Sequence, residues 1–300
     1  MTTSNGLLLL DKPSGLTSHD VVAQVREILG EQRVGHAGTL DPMATGLLVL
    51  GVGASTRLLR FAQSEVKRYR GTVQLGVATD SLDAQGTPTR EEPVPALTVT
   101  DMNEAAAAML GRQLQVPPMV SAIKVGGRRL HALAREGVEV ERAPREVTVS
   151  AFTLTPGSDL TRWNFDVECS VGTYVRVLLS DLAERVATVG HLIALRRISS
   201  GHHHVDDALS LDAFADVIRS GRSPLRPPAD FVTELPRVAL DEDQERRLRM
   251  GQQIELATEF APSELAAFAS SGALVAILCP RGEKWKPQLV LPAMSPGAAD

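Results

Sequence analysis

Gly35-His36-Ala37-Gly38-Thr39-Leu40-Asp41-Pro42-Met43-Ala44-Thr45-Gly46-Leu47-Leu48 is the stretch on which the reading of this 300-residue chain turns. It places one carboxylate, Asp41, among glycines and beside a proline, so the residue belongs on a tightly turned loop and not inside a regular element. The loop runs straight into Leu47-Leu48-Val49-Leu50, an apolar run that predicts a buried strand. A lone acid on a rigid turn beside a core strand can act as a nucleophile. It can equally do no more than cap the turn, and spacing does not decide between the two.

Outward from this loop, residues 7–10 predict a strand and Asp11-Lys12-Pro13-Ser14-Gly15 a turn. Ser18 is expected to cap a helix running to Leu29, with Val21, Val22, Val25, Ile28 and Leu29 on one stripe. Residues 57–61 suggest a short helix. Residues 67–77 alternate as a strand that puts Tyr69, Val73, Leu75 and Val77 on one face. That parity aims the Tyr69 phenol at the covered side of a sheet, where its hydroxyl needs a partner. Residues 88–95 look like a linker, and an alanine-rich helix is expected around 101–110. Pro117-Pro118 opens an excursion to Arg145, containing Gly126-Gly127 and a basic helix near 130–136. Strands at 146–154 and 162–169 follow, the second with Trp163, Phe165, Val167 and Cys169 facing one way. A helix capped by Thr173 is expected to run to about Val186. The Pro-rich break at 223–228 suggests a domain boundary. Beyond it are expected a helix at 241–250, strands around 253–256, 273–279 and 285–291, and a disordered tail at 293–300.

Apolar content of 43 % and charged content of 22 % fit a soluble globular protein with a sizeable core. Two cysteines, Cys169 and Cys279, without CxxC spacing argue against a disulfide framework or a zinc site, and fit a reducing, cytoplasmic setting. The first apolar run is too short for a signal peptide or a membrane span. A formal net charge of −5 weighs against a nucleic-acid partner, but the charge is clustered. Arg57, Arg60, Lys67, Arg68 and Arg70 face only Glu65 within 57–70. A second set, Lys124, Arg128, Arg129, Arg135, Arg142 and Arg145, is diluted by Glu136, Glu139 and Glu141. Solvated faces produce such runs as well.

Several segments together resemble one family, the TruB-type tRNA pseudouridine synthases. They are Asp11-Lys12-Pro13-Ser14-Gly15-Leu16-Thr17-Ser18, the Asp41 loop, and Lys67-Arg68-Tyr69 with Leu75-Gly76 and Thr79-Asp80. Further on come Pro117-Pro118-Met119-Val120-Ser121-Ala122-Ile123-Lys124, Ala134-Arg135-Glu136-Gly137, Gly172-Thr173-Tyr174-Val175-Arg176, and His191-Leu192 with Leu195-Arg196-Arg197. They occur in family order over roughly residues 5 to 203. Leu274-Val275-Ala276-Ile277 and Lys286-Pro287 resemble a PUA-type RNA-binding module.

The resemblance implies an α+β fold: a mixed, mainly antiparallel sheet flanked by helices with a thumb-like insertion at about 117–145, and a small C-terminal β-barrel. The catalytic domain would span 1–228 and the PUA-like domain 229–292. The activity implied is isomerisation of uridine to pseudouridine at position 55 of the tRNA T loop, on a flipped-out nucleotide. Neither cofactor nor metal is expected, and the partner would be the tRNA T arm, met by a monomer without guide RNA, protein partner or membrane.

By the same resemblance Asp41 is the nucleophile and Arg176 its partner, in the first turn of a helix whose positive end adds a smaller effect of the same sign. Tyr69 would stack on the target base and is a candidate for proton transfer. Tyr174 would floor the pocket, and His36 would fill the space the flipped nucleotide leaves. Lys12 would support the Asp41 loop and stand beside substrate. Lys124, Arg128, Arg129 and Arg135 would reach phosphates. His202-His203-His204 departs from the family pattern and is expected as a solvated loop, with adventitious metal binding as the alternative. Two other functions fit the residues: a non-catalytic RNA-binding chaperone using the same cleft, and a nucleoside glycosidase. The second needs two acids flanking the bond, and only one lies in a matching motif.

Overall fold

A computed structural model describes residues 5–63, 66–121, 124–125, 127–129, 136, 138, 140–256 and 262–293. Strands β1 (Gly6–Lys12), β2 (Val34–His36), β3 (Thr45–Val52) and β4 (Lys67–Leu75) build the first half of the main sheet. A small hairpin, β5 (Val77–Thr79) with β6 (Pro88–Glu91), precedes β7 (Gly111–Gln115), and a second, β8 (Lys124–Val125) with β9 (Arg128–Arg129), lies in the excursion. The sheet is completed by β10 (Arg145–Pro156), β11 (Arg162–Cys169), β12 (Gly190–Ser200) and β13 (His203–His204). Among the described residues it has nine strands in the order β1-β3-β12-β4-β11-β10-β7, with β2 on β3 and β13 on β12. Every pairing is antiparallel except β3 with β12. The helices are α1 (Ser18–Leu29), α2 (Leu59–Gln63), α3 (Val99–Ala107), α4 (Val175–Arg185), α5 (Leu211–Arg219) and α6 (Glu242–Arg249).

Side-chain parity explains how this sheet is covered. The unbroken apolar runs of β1 and β3 are buried on both faces. Leu7, Leu9, Leu47 and Val49 enter one core, and Leu8, Leu10, Leu48 and Leu50 enter another with Val21, Val22 and Val25 of α1. By contrast β4 and β11 bury one face only: Tyr69, Val73 and Leu75 join Trp163, Phe165, Val167 and Cys169 beneath Met102 of α3 and Leu178, Leu179 and Leu182 of α4. The expected strand to residue 77 ends earlier. Gly76, at φ 91°, turns the chain so that Val77 starts β5, and the expected linker at 88–95 supplies the pairing strand β6.

Thr17, and not Ser18, caps α1. Its hydroxyl accepts the Asp20 N–H while the Asp20 carboxylate accepts the Thr17 N–H at 2.8 Å, a reciprocal pair that Ser18 could not form with its neighbour three residues on. Similarly, the Thr173 hydroxyl donates to the Ser170 carbonyl at 2.8 Å, leaving Tyr174 at the cap position of α4. The histidine triplet is only partly a solvated loop: His202 is exposed in a turn, while His203 and His204 form a short strand. Ser200 pairs with His203 in a hairpin, which buries His203, and burial holds its imidazole down at about 4. No metal-capable cluster occurs among the described residues. The basic helix expected at 130–136 and the tail at 294–300 lie outside the described residues, Glu136 excepted.

The C-terminal strands, β14 (Arg237–Ala239), β15 (Leu265–Phe268), β16 (Leu274–Arg281) and β17 (Lys284–Val290), form a four-stranded sheet that does not close into the expected barrel among the described residues. Its inner face is part of a shared core: Ala266, Phe268, Ile277 and Leu289 pack with Leu7, Leu9, Leu47 and Val49 of the main sheet. The same junction engages the first basic cluster. Arg60 pairs with Glu264 and bonds Gln288, and Arg57 donates to the Val290 carbonyl at 3.0 Å. Arg68 and Arg70 both pair with Asp166 at 2.7 Å across the strands, and Lys67 is buried. That cluster therefore serves the fold. No helix among the described residues is long and apolar enough to cross a membrane.

Candidate active site

The Asp41 loop joins β2 to β3 and is held almost entirely through its backbone. The buried Ser18 hydroxyl accepts the Leu40 N–H at 2.8 Å and donates to the Leu40 carbonyl at 3.2 Å. Gly15 N–H donates to the Pro42 carbonyl at 2.8 Å. Lys12, fully buried, directs its ammonium to the carbonyls of Leu16, Pro13 and Pro42 at 2.6, 2.9 and 3.3 Å. Burial brings that ammonium down to about 8. With its donors on three backbone oxygens, Lys12 braces the loop. From the far side Arg197, 1 % exposed, donates to the carbonyls of Leu47 at 2.6 Å and Gly38 at 3.2 Å. Gly46 is required where β12 crosses, since a Cβ there would stand 2.3 Å from the Arg197 carbonyl oxygen.

With the loop fixed in this way, the Asp41 carboxylate bonds no backbone group of its own turn. Its partner is Arg176, whose Nε lies 3.2 Å from Oδ2 and Nη2 3.5 Å from Oδ1. The other donors of that guanidinium are also engaged: Nη1 with the Ser81 carbonyl at 3.0 Å and Asp83 at 3.3 Å, Nη2 with the Val120 carbonyl at 2.9 Å. Four of its five N–H groups thus make hydrogen bonds, while Nε faces Asp41 as an ion pair. The Asp41 side chain is 35 % exposed, against 3 % for Arg176 and 4 % for Asp83, so Asp41 alone of the three is open to a substrate. Burial raises the Asp41 carboxyl above its ordinary value; Arg176 and Lys12 oppose the rise and Asp83 adds to it.

Asp83 is the site residue that the sequence did not disclose. It lies in a polar turn, Thr79-Asp80-Ser81-Leu82-Asp83, that is dense in turn-forming residues, so one more acid there carries no signal. Its Oδ1 accepts the Ser81 hydroxyl at 2.6 Å and the Gln85 N–H at 3.0 Å. Because it is enclosed and fully bonded, it is no second flanking acid, and the two-carboxylate glycosidase geometry is not formed.

Tyr69 sits on β4 between Val167 of β11 and Arg197 of β12, in the same core cluster as Leu40 and Ala44. Burial pushes the phenol up from its usual value, and the nearby Arg197 guanidinium opposes the rise. Such a phenol stays protonated at neutral pH, which suits a stacking ring and disfavours a general base. Tyr174 is half-buried at the start of α4, its N–H donating to Gln115 Oε1 at 2.7 Å and its carbonyl accepting from Gln115 Nε2 at 3.2 Å. His36, on β2, meets His19 edge-on with ring centroids 5.6 Å apart, and burial holds it below the usual imidazole value. Lys124 and Arg129 are paired residues of the β8–β9 hairpin, and Arg128 is exposed there in an ion pair with Glu136. Arg135 lies outside the described residues.

The loop clamp gives a direct test. Ser18→Ala leaves buried backbone groups of Leu40 without their partner, which costs about 1–3 kcal/mol, and loosens Asp41, for an expected ten- to hundredfold drop in turnover, on the order set by small misplacements. Thr17→Ala removes the true helix cap at about 1 kcal/mol without touching the loop. Denaturation curves and single-turnover rates of the two variants should therefore diverge, with Thr17→Ala keeping the wild-type rate.

Comparison with known proteins bears on the whole chain. The family described as TruB family pseudouridylate synthase (N terminal domain) matches residues 26–175, and that described as tRNA Pseudouridine synthase II, C terminal, matches residues 235–292. The tRNA pseudouridine synthase B of Streptococcus pneumoniae serotype 4 is 40 % identical over 292 residues, covering 95 % of this chain and 99 % of the relative. That of Opitutus terrae is 48 % identical over 209 residues, 70 % of this chain and 86 % of the relative. Among solved structures, a Cbf5-Nop10-Gar1 complex aligns with a TM-score of 0.72 at 22 % identity, over 97 % of this chain and 85 % of that one. An H/ACA ribonucleoprotein bound to a substrate RNA containing 2'-deoxyuridine aligns at 0.73 and 18 % identity, over 96 % and 86 %. These likenesses establish a common fold, and the sequence matches establish kinship: the chain belongs to the TruB family of pseudouridylate synthases.

Proposed function

We propose that the chain is a stand-alone tRNA pseudouridine synthase that isomerises uridine 55 in the T arm, with Asp41 as its nucleophile. The observation that carries this reading is a half-open carboxylate, held by a loop that leaves its oxygens free and gripped from behind by the Arg176 fork. The reaction breaks the bond from ribose to uracil nitrogen, turns the ring, and rejoins the sugar to a ring carbon. Atoms in and out are the same, so the protein's task is to supply a nucleophile, a space for the ring and a proton path.

Asp41 needs no activating base, since an ordinary aspartate is ionised at neutral pH. Its difficulty is burial, which favours the neutral acid, and Arg176 offsets that cost. A target held in a folded loop must be swung out at a cost of a few kcal/mol, recovered by stacking and edge hydrogen bonds. Tyr69, protonated and rigid between two strands, offers the stacking face; Tyr174 floors the pocket and His36 stands on the strand that leads into the loop. Arg128 and its hairpin neighbours Lys124 and Arg129 lie on the excursion that would close over the RNA, where phosphate contacts make binding salt-dependent.

Purified protein with a T-arm stem-loop transcript, and nothing else added, should convert one loop uridine to pseudouridine. Requirement for a guide RNA or a protein partner would contradict the stand-alone reading.

A further inference from the structure

We propose that Gln115 is a positioning residue for the isomerisation: by holding both backbone polar groups of Tyr174 it fixes the start of α4 and so aims Arg176 at Asp41. The inference rests on the reading of Asp41 as nucleophile given above.

A helix begins with N–H groups that lack partners inside it, and a side chain at the cap position ordinarily orders that first turn. Helix α4 has no such bond from its own cap residue, Tyr174. The fixing comes from across the sheet. Gln115, 5 % exposed at the end of edge strand β7, accepts the Tyr174 N–H at 2.7 Å and donates to the Tyr174 carbonyl at 3.2 Å. Arg176 follows two residues later.

Its two Nη groups already hold four hydrogen-bond partners, so a small rotation of α4 disturbs contacts that are in use. The contacts to Asp41, at 3.2 and 3.5 Å, are longer than those to the Val120 and Ser81 carbonyls, at 2.9 and 3.0 Å. The contacts to Asp41 and Asp83, at 3.2 to 3.5 Å, are therefore the ones a loosened helix start strains, and of these two carboxylates only Asp41 is open to solvent that can replace the arginine. The segment that carries Gln115 touches the site a second time through Val120. Between these two anchors stand Pro117 and Pro118, both buried and with restricted φ, which leaves little slack. The root of the RNA-covering excursion and the aim of the catalytic arginine are thereby joined.

Gln115→Met keeps the length of the side chain and removes both hydrogen bonds; Gln115→Glu keeps the acceptor for the Tyr174 N–H and loses the donor. The groups that set the Asp41 charge are Arg176 from α4, Asp83 from the turn after β5, and Lys12 from β1. If Arg176 drifts, burial and Asp83 act with less opposition, so Asp41 holds its proton to higher pH. In single-turnover assays on T-arm RNA we expect Gln115→Met to be about ten- to a hundredfold slower, with its acid limb moved to higher pH and its RNA affinity within about twofold of wild type. Gln115→Glu should lie between, and serves alone if Gln115→Met does not fold. A folded Gln115→Met with wild-type rate and acid limb, or one that loses affinity at unchanged rate, would overturn the proposal. Wild type and Asp41→Asn run alongside keep the two readings apart: turnover by Asp41→Asn defeats the nucleophile assignment whatever Gln115 does.

Discussion

Replacing Arg176 by methionine is expected to destabilise the protein by about 3–5 kcal/mol, the usual consequence of leaving a buried charge unpaired, and to slow isomerisation by roughly a hundredfold or more. The stability loss falls on Asp83, 4 % exposed, whose remaining partners are the Ser81 hydroxyl and the Gln85 N–H. The Asp41 contact contributes less, because that carboxylate is partly solvated. The loss of rate falls on Asp41, which keeps its burial and the repulsion of Asp83 without the opposing cation. The two effects can be separated. Neutralising the stranded charge in Arg176→Met/Asp83→Asn should restore much of the stability in a urea titration while leaving turnover low. If the double variant recovered both, Arg176 would be a packing residue; if Arg176→Met alone turned over within twofold of wild type, the pairing would have no part in the chemistry.

Much of this arrangement is legible in the sequence because it depends on local parity. The alternation in 67–75 and 162–169 fixes which face Tyr69 and Trp163 share, and the unbroken runs of β1 and β3 announce burial on both sides. The glycines and proline around Asp41 announce a turn. What escaped is what depends on partners distant in the chain. Asp83 meets Arg176 across 93 positions and Gln115 meets Tyr174 across 59, with no periodicity to mark either. Ser18 reads as a cap because Ser and Thr cap helices alike, and only the reciprocal bond with Asp20 selects Thr17. The charge cluster at 57–70 is compatible with RNA or with a solvated face, but its partners Asp166, on β11, and Glu264, just before β15, are distant in the chain. The expected C-terminal barrel is not closed among the described residues: one face of β14 to β17 packs on β1 and β3, and the other forms a separate core with Leu248 of α6 and Ile254.

Asp41→Asn should remove pseudouridine formation by a factor of at least about 10⁴, the scale on which enzymes lose turnover when a nucleophile is deleted. An amide nearly matches the carboxylate in shape but carries no charge with which to attack. The fold should not suffer. Burial holds the Asp41 carboxyl above its unfolded value, so stability falls as the pH rises through the unfolded pKa, and the full penalty is present above the folded one. Replacing it with a neutral amide removes that penalty, and the melting temperature at neutral pH should equal or exceed that of wild type. RNA affinity should persist, because the stacking ring of Tyr69 and the excursion's basic residues are untouched. Inactivity in a stable protein that still binds is a combination neither misfolding nor lost recognition can mimic.

The measurement that tests the whole account most directly is therefore a single-turnover assay with saturating enzyme. Pseudouridine is mapped in a tRNA transcript, and RNA binding is recorded on the same samples of wild type and Asp41→Asn. The account predicts one modified T-loop uridine with wild type, and no product but full binding with Asp41→Asn. Product from Asp41→Asn at a rate within tenfold of wild type would contradict it.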